Sequence, residues 1–267
     1  MTADRITSAT LAAMQRRGEP IACLTCYDAA FARLLEGAGV EVLLVGDSLG
    51  MVLQGQPSTV PVQLQHMVYH TSCVSRAATR ALVIADMPFL SYATEERSIA
   101  AAERLMGEGG AAMVKLEGGG ELVQTVDRLT RFGVPVCAHL GLLPQSVHRL
   151  GGYRYQGRDD AGAARIRADA LALQEAGASM LVLECVPAAL AEAISGELAI
   201  PVIGIGAGSG CDGQVLVLHD MLGLLPGRSP SFSKDFAAEY GGVAAALAGY
   251  VAEVKGRRFP GPEHILH

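Results

Sequence analysis

The sequence predicts a (β/α)8 TIM barrel, and three observations lead to this fold class. Short apolar runs rich in Val, Ile and Leu alternate with longer helical segments along most of the chain. About eight such β/α units are present, which is the number that closes a TIM barrel. No linker with a shift in composition divides the 267 residues. We therefore expect a single barrel domain over residues 1–267, with a short N-terminal helix and a C-terminal helical tail.

Eight apolar runs are the candidate strands, because each is followed by a polar or glycine-rich break. They cover residues 21–28, 40–48, 81–88, 111–119, 134–142, 179–186, 200–208 and 215–224. Runs this apolar are typical of strands that are buried on both faces of a parallel sheet. The eighth run follows the seventh closely, and a helix there with a shorter strand centred on 218–222 is an alternative.

The segments between these runs have helical patterns and are the predicted crossover helices. They cover residues 31–37, 64–77, 95–108, 121–131, 161–175 and 187–195. A helix between successive strands implies parallel pairing, because parallel neighbours need crossover connections. Before the first strand, Thr7 or Ser8 can cap a helix over residues 9–17. The tail from Ser229 is predicted to hold one or two helices and to end in a Pro/Gly-rich coil from Phe259.

The composition of the chain excludes several classes of protein. Half of the residues are hydrophobic and only 18% are charged, which suits a large buried core. A net charge of −6, without a stripe of Lys and Arg, argues against a nucleic-acid partner. No run approaches the roughly 20 apolar residues of a membrane span, and the N-terminal residues do not resemble a secretory signal. We therefore expect a cytoplasmic protein without a membrane partner.

Two of the six cysteines form a C-x-x-C motif. Cys23 and Cys26 lie in one predicted strand, where residues three apart point to opposite faces. A disulfide or a shared metal ion is therefore not expected. No second C-x-x-C follows, so a zinc site would lack the rest of its ligands. We expect reduced and mostly buried thiols.

Ionisable side chains stand at the ends of most of the predicted strands. They are Asp28, Asp47, Asp86, Lys115, Glu117, His139 and Glu184. Barrel enzymes build their active sites from the C-terminal ends of the strands, so these side chains are the candidate site residues. Lys115 and Glu117 are two residues apart and therefore point to the same face, into the barrel. Burying both is costly unless they have partners.

Three of these carboxylates, from different strands, form a candidate metal site. Asp47, Asp86 and Glu117 would together place too much negative charge at one rim to remain without a cation. An oxygen-rich cluster of this kind suits Mg²⁺, a hard cation that takes about six oxygen ligands. Each acid taken singly is more often a helix cap or an ion-pair partner, but the three together predict a metal ion.

Two other patterns carry little functional information. His66 and His70 have the i, i+4 spacing of a zinc pair, but the glutamate of an H-E-x-x-H motif is absent. The glycines at 204, 206 and 208 lack the acidic residue that completes a dinucleotide-binding fingerprint. Close approach of the backbone to a ligand, or tight packing at the barrel mouth, accounts for these glycines.

Many stretches of the chain resemble one family, the ketopantoate hydroxymethyltransferases. They are TCYD, LLVGDSLGMVLQG, STVPV, YHT, ADMPF, MVKLEGG, VPVCAHLGLLPQSV, GGYRYQGR, LVLECVP, IPVIGIGAG and DGQVLVLHDMLG. They follow one another in a single order from Thr25 to Gly223, which covers most of the chain. Barrel membership alone would not produce this agreement.

The resemblance implies a barrel of the phosphoenolpyruvate/pyruvate type and a homodecamer of two pentameric rings. It implies Mg²⁺ bound by Asp47, Asp86 and Glu117, and contacts to a 2-oxo acid from Asp47, Ser48, Asp86 and Lys115. The implied reaction transfers the one-carbon unit of 5,10-methylenetetrahydrofolate to 3-methyl-2-oxobutanoate. The product is 2-dehydropantoate, in the first committed step of pantothenate biosynthesis, and the chemistry is Mg²⁺-assisted enolate formation followed by an aldol-type addition.

The resemblance also assigns a proton acceptor. Glu184 occupies that position, and the alternative for this side chain is an ion pair with Arg154 or Arg158. We predict that His139 positions the substrate, with a core histidine as the alternative. The segment 151–160 is interpreted as a mobile cover over the mouth, whose arginines reach the glutamyl tail of the folate, or as a subunit contact.

Two rival enzymatic functions remain open at the level of the sequence. Lys115 is a candidate nucleophile of a Schiff-base aldolase. A Mg²⁺-dependent carbon–carbon lyase acting on another 2-oxo acid would use the same metal chemistry. A barrel that serves only as an assembly scaffold would leave the charged strand ends unexplained.

Overall fold

Eight parallel strands form a closed barrel in the order β1 to β8 in the computed structural model, which describes residues 4–225, 227 and 229–265. The strands are β1 (Ile21–Thr25), β2 (Val42–Val45), β3 (Leu82–Asp86), β4 (Met113–Glu117), β5 (Val136–Gly141), β6 (Met180–Glu184), β7 (Val202–Ile205) and β8 (Gly213–Leu216). Each of the first seven lies within its predicted run. The predicted barrel is therefore confirmed.

Helices surround the barrel. They are α1 (Ser8–Arg16), α2 (Ala29–Ala38), α3 (Leu49–Val52), α4 (Leu64–Ala77), α5 (Glu95–Glu103), α6 (Val123–Arg131), α7 (Val147–Leu150), α8 (Asp160–Glu175), α9 (Ala188–Glu197), α10 (Leu218–Met221), α11 (Phe236–Tyr240) and α12 (Val243–Lys255). A π-helical turn at Arg104–Glu108 extends α5, and 3₁₀ turns lie at Gly120–Leu122, Pro144–Ser146 and Pro262–His264. None of the described helices is long and apolar enough to span a membrane.

The eighth strand differs from its prediction. It begins at Gly213, whereas the predicted run 215–224 shares only its first two residues with the strand, and residues 218–221 are helical. The alternative strand centred on 218–222 is also wrong. The strand starts at a glycine because a Cβ there would clash with the carbonyl oxygen of Ile21 on the neighbouring strand. Sequence patterns assign such a glycine to a turn.

The connection between β7 and β8 has no helix. Residues 206–212 return the chain to the start of β8, where the amide of Asp212 donates to the carbonyl of Val202 at 2.9 Å. The C-terminal helix α12 packs instead against α2 and β1. Its Tyr250 hydroxyl lies 2.8 Å from the carbonyl oxygens of both Cys23 and Gln214, which joins the first and last strands.

Two apolar cores follow from the alternation of side chains along each strand. Outward residues such as Val114 and Leu116 pack against the helices. Inward residues such as Met113 fill the barrel from its N-terminal end. In β4 the inward positions above Met113 are Lys115 and Glu117, so the charged residues lie above an apolar layer, towards the C-terminal mouth.

Helix α1 closes the N-terminal end of the barrel. Thr7 caps it, as predicted, by accepting a hydrogen bond from the amide of Thr10 at 3.2 Å. Ile6, Leu11 and Met14 from this segment pack against the inward side chains of the strands. The inward side chains at this end of the barrel are therefore buried from water.

The six cysteines are free thiols, as expected. Cys23 belongs to the core inside the barrel, whereas Cys26 belongs to the core between strands and helices. The two members of the C-x-x-C motif therefore face different cores and do not form a pair.

We predict that Leu11→Ala destabilises the protein, because it leaves a cavity in the apolar plug at the base of the barrel. Leu11 is 1% exposed, and truncation of a buried Leu costs about 2–5 kcal/mol. Urea unfolding followed by circular dichroism measures the change. Leu34→Ala is the control, since Leu34 is 46% exposed and its loss should cost less than about 0.5 kcal/mol. Equal unfolding midpoints for the two variants would contradict the plugging role of α1.

Candidate active site

A single cavity of about 540 Å³ opens at the C-terminal mouth of the barrel. It is lined by every residue predicted to bind metal or substrate or to act as the base: Asp47, Ser48, Asp86, Lys115, Glu117, His139 and Glu184. Asp28, the other acid at a strand end, lies outside the cavity. Its carboxylate caps α2 by accepting from the amides of Ala30 and Phe31 at 2.8 and 2.9 Å.

A buried ion pair between Lys115 and Asp86 forms the centre of the site. The Lys115 ammonium lies 2.6 Å from Asp86 Oδ1 and 3.8 Å from Glu117 Oε1. The other oxygen of Asp86 accepts a hydrogen bond from the backbone amide of Asp47 at 3.0 Å. Burial opposes the charged form of Lys115, but the three neighbouring carboxylates outweigh it and raise the lysine pKa above its ordinary value. Lys115 is therefore protonated at neutral pH.

Asp47 carries the least compensated of the buried charges. Burial raises the pKa of its carboxyl well above the usual range, and the charges of Asp86 and Glu117 act in the same direction. Lys115 and a hydrogen bond from Gln145 oppose this shift without reversing it. A carboxyl group in this state gains from an added positive charge, whether a proton or a cation.

His139 lies between two carboxylates. Its Nδ1 is 3.4 Å from Glu117 Oε1 and its Nε2 is 3.3 Å from Glu184 Oε2, although neither contact has the angles of a good hydrogen bond. Burial and Lys115 lower the pKa of the imidazole, but Glu117 and Glu184 outweigh them and raise it to about 9. The same contacts lower the pKa of Glu117, against the effect of its burial. Glu184 is thus partnered by His139, in place of the arginine partner considered from the sequence.

Gln145 is a site residue that sequence reasoning missed. Its side-chain amide donates to Asp47 Oδ2 at 2.8 Å, and its backbone amide donates to Glu117 Oε2 at 3.1 Å. The Tyr92 hydroxyl in turn donates to Gln145 Oε1 at 2.6 Å. One buried residue therefore orients two of the three predicted metal ligands. A neutral amide in a loop adds no charge to the sequence pattern. Only its position in space, between the ends of the strands, identifies it as a site residue.

Ser48 is held by a second residue that the sequence did not indicate. The hydroxyls of Ser48 and Tyr27 lie 2.9 Å apart, and Tyr27 is fully buried beside the site. His70, one of the two helically spaced histidines, contacts the carbonyl of Tyr27 through Nδ1 at 2.8 Å. These contacts fix the hydroxyl of Ser48 at the edge of the cavity.

The segment 151–160 lies at the mouth of the cavity. Tyr153 and Tyr155 line the cavity, and the Tyr153 hydroxyl is 3.4 Å from the sulfur of Met51 across the opening. Arg154 and Arg158 are exposed and are not among the lining residues. The position of the segment agrees with a cover. The predicted contact of its arginines with a ligand remains a prediction.

The residues fit a divalent cation by chemistry and charge. Four acidic side chains, Asp47, Asp86, Glu117 and Glu184, face only two basic ones, Lys115 and His139, so the acidic groups are in excess. The donors are oxygens, as Mg²⁺ prefers. Within the described residues, no group of three or more His, Cys, Asp or Glu side chains is already arranged to hold a metal ion. Instead, the Lys115 ammonium contacts Asp86 Oδ1 and the Gln145 side-chain amide contacts Asp47 Oδ2.

The sequence model of ketopantoate hydroxymethyltransferase matches residues 5–262, almost the whole chain. The chain belongs to this family. It is 59% identical to the 3-methyl-2-oxobutanoate hydroxymethyltransferase of Halorhodospira halophila, over 97% of this chain and 94% of that relative. A protein of the same name from Thiobacillus denitrificans is also 59% identical, over 98% of this chain and 99% of the relative. The resemblance found in the motifs is thereby confirmed, and the chain is an enzyme of the transferase class.

Solved structures superpose on this barrel and confirm the fold. Phosphoenolpyruvate phosphomutase from Streptomyces platensis superposes with a TM-score of 0.63 at 13% identity, over 95% of this chain and 98% of that chain. A 2,3-dimethylmalate lyase of the PEP mutase/isocitrate lyase superfamily superposes with a TM-score of 0.56 at 20% identity, over 79% of this chain and 81% of that chain. At these identities the likeness concerns the fold alone.

We predict that Gln145→Met lowers hydroxymethyltransferase activity about 10- to 100-fold, the usual effect of removing an outer partner of a charged site. The substitution keeps the length of the side chain but frees Asp47 from its donor. Steady-state assays and a thermal unfolding curve separate loss of activity from loss of fold. Gln124→Met, at an exposed position of α6, is the control. Unchanged activity of Gln145→Met would show that the amide has no part in orienting the site.

Proposed function

We propose that this enzyme transfers a hydroxymethyl group to 3-methyl-2-oxobutanoate. The donor is 5,10-methylenetetrahydrofolate, water supplies the hydroxyl oxygen, and the products are 2-dehydropantoate and tetrahydrofolate. Relatives at 59% identity over nearly their whole length carry the corresponding name. Assembly as a homodecamer of two pentameric rings, a cytoplasmic location and a place at the first committed step of pantothenate biosynthesis belong to the same proposal and rest on the family resemblance.

One structural observation supports this chemistry above the others. Acids from β2, β3, β4 and β6 meet a lysine and a histidine in one buried cavity at the mouth of the barrel. Such a cluster can bind a cation that in turn holds a small, highly oxygenated anion, and it can move a proton beside it. A 2-oxo acid has a carboxylate for a cation to hold and a weakly acidic C–H group next to its ketone.

Glu184 is the proposed base that removes the proton from C3. Its side chain is 14% exposed, whereas the other carboxylates of the cluster are more deeply buried. It can therefore reach a substrate in the cavity. His139, with its pKa raised to about 9, stays protonated next to Glu184. The imidazolium thus places a positive charge 3.3 Å from the carboxylate that acts as the base.

Lys115 and Ser48 are the proposed orienting groups. The ammonium of Lys115 remains charged because of the surrounding carboxylates, so it can attract the substrate carboxylate or the charge that develops on the ketone oxygen. Ser48 presents a hydroxyl that Tyr27 fixes at 2.9 Å. His139 contributes to substrate positioning through its contact with Glu184. Fixed donors of this kind need little reorganisation during the reaction.

Asp47, Asp86 and Glu117 are the residues that would hold Mg²⁺. When bound, the ion supplies positive charge that makes the proton at C3 of the keto acid more acidic. The oxygens that would hold the ion now contact Lys115 and Gln145, so a bound cation would exchange with these contacts. The raised pKa of Asp47 marks the carboxyl group that gains most from this exchange.

We predict that Glu184→Gln abolishes the exchange of the C3 proton of the keto acid for deuterium in the absence of folate. A general base contributes about 10²- to 10⁴-fold, and the amide cannot accept the proton. Proton NMR follows the exchange, and calorimetry verifies that Mg²⁺ binding is retained. Glu192→Gln, on the surface helix α9, is the control. Exchange at the wild-type rate in Glu184→Gln would remove this residue as the base.

A Schiff-base aldolase is disfavoured by the state of Lys115, because a nucleophilic amine must be neutral. We predict that EDTA removes activity and that added Mg²⁺ restores it. Borohydride treatment with the keto acid should leave the mass of the protein unchanged. Mass spectrometry detects the adduct that an imine would give. Trapping at Lys115 together with EDTA-resistant activity would replace the metal mechanism with the imine mechanism.

A further inference from the structure

The cavity has two halves of different chemistry. The arc from β2 to β6 supplies Asp47, Asp86, Lys115, Glu117, His139 and Glu184. The remaining arc, from β7 through β8 to β1 with the segments that follow β8, is lined mainly by apolar residues such as Ile205, Val217 and Phe232. Among the described lining residues of this second arc, Asp220 is the single acidic or basic side chain.

The keto acid of the proposed function cannot fill this space. A cavity of about 540 Å³ lies in the roughly 300–1,000 Å³ range of pockets that enclose a drug-sized molecule. The keto acid has only five carbons, and the charged arc contains all the groups that it requires. The apolar arc therefore has room for a second and larger ligand, which must lie next to the first for a group to pass between them.

Asp220 is positioned to accept hydrogen bonds from that ligand. It belongs to the short helix α10 after β8 and is half-buried. No described residue donates a hydrogen bond to its carboxylate. Burial raises its pKa to about 6, so the carboxylate is still mainly ionised at neutral pH. A partly desolvated carboxylate without a partner is costly unless a ligand pairs with it.

Flat rings border the same arc. The rings of Phe232 and Tyr155 both approach Gly206, where a Cβ would lie 3.0 Å from Phe232 Cδ1 and from the Tyr155 hydroxyl. Gly206 also has a φ of +61°, a conformation that favours glycine. The buried Tyr155 hydroxyl lies beside Cys185. The glycine thus leaves room for two aromatic side chains that line the cavity.

We propose that Asp220, with Phe232 and Tyr155, binds the aminopyrimidinone ring of the folate co-substrate. The 2-amino group and the adjacent ring N–H present two parallel donors, and a carboxylate accepts such a pair as it accepts the fork of an arginine. The aromatic side chains pack against the ring. This places the folate in the apolar arc, with its one-carbon unit directed at the keto acid in the charged arc. The inference rests on the proposed function.

The test compares Asp220→Asn with the wild-type protein. An isosteric amide retains one acceptor but loses the charge and places an NH₂ group against a donor. We expect the KM for 5,10-methylenetetrahydrofolate and the Kd for tetrahydrofolate to rise about 10- to 100-fold, as for the loss of a charge-assisted hydrogen bond. The folate-independent exchange of the C3 proton should be unchanged, because the charged arc is intact. Isothermal calorimetry and NMR give the two readouts.

A matched control and a ligand analogue isolate the contact. Asp28→Asn removes the same charge from the same rim outside the cavity and keeps a good helix cap, so its folate affinity should equal that of the wild type. A tetrahydrofolate analogue with a methyl in place of the 2-amino group should bind more weakly than tetrahydrofolate to the wild type. The Asp220→Asn variant should bind the analogue and tetrahydrofolate with nearly equal affinity.

The outcomes separate this inference from the proposed function. Wild-type affinity for tetrahydrofolate in Asp220→Asn would overturn the role of Asp220. So would an equal loss in Asp28→Asn, or a loss of C3 exchange in Asp220→Asn, which would assign Asp220 to the keto acid. If the wild-type protein performs C3 exchange but does not use methylenetetrahydrofolate as the donor, the proposed function itself fails.

Discussion

The ion pair between Lys115 and Asp86 is the interaction on which the charged site depends. At 2.6 Å and almost fully buried, it places a positive charge among carboxylates that would otherwise repel one another inside the barrel. Removing charges from water costs several kcal/mol per ion, and good geometry with further hydrogen bonds must offset that cost. Asp86 obtains the further bond from the amide of Asp47. The strand ends can therefore hold ionised groups at one level of the barrel.

The sequence predicted the parts of this structure that follow from periodicity. The two-residue repeat of a strand was enough to predict that Lys115 and Glu117 point into the barrel. The apolar runs were enough to locate seven strands. It did not separate Asp28 from Asp47, because a strand-end acid that caps a helix and one that lines a cavity share the same local pattern. Gln145 was missed because its contacts depend on loop geometry. The start of β8 was misplaced because a glycine such as Gly213 resembles a turn residue.

The charged groups of the site come from strand ends, and its aromatic groups come from loops. Strands supply the charged groups, whose positions follow from register, for example Asp86 beside Lys115 and Glu117 beside His139. The loops supply Tyr153, Tyr155 and Phe232. Proteins with this barrel at 11–20% identity carry names of several different activities. One barrel fold with different loops can support several activities. An argument about function must therefore rest on the residues of the site.

The position of α12 has a consequence for how the chain matures on the ribosome. The helix that covers β1, and the strand β8 that pairs with it, lie some two hundred residues further along the chain. Until both have been synthesised, the first strand has one open edge and an uncovered apolar surface. Closing the ring then requires contacts between distant segments, which form slowly because of the entropy of loop closure. The nascent protein thus has a long interval in which its N-terminal half is vulnerable to misassembly.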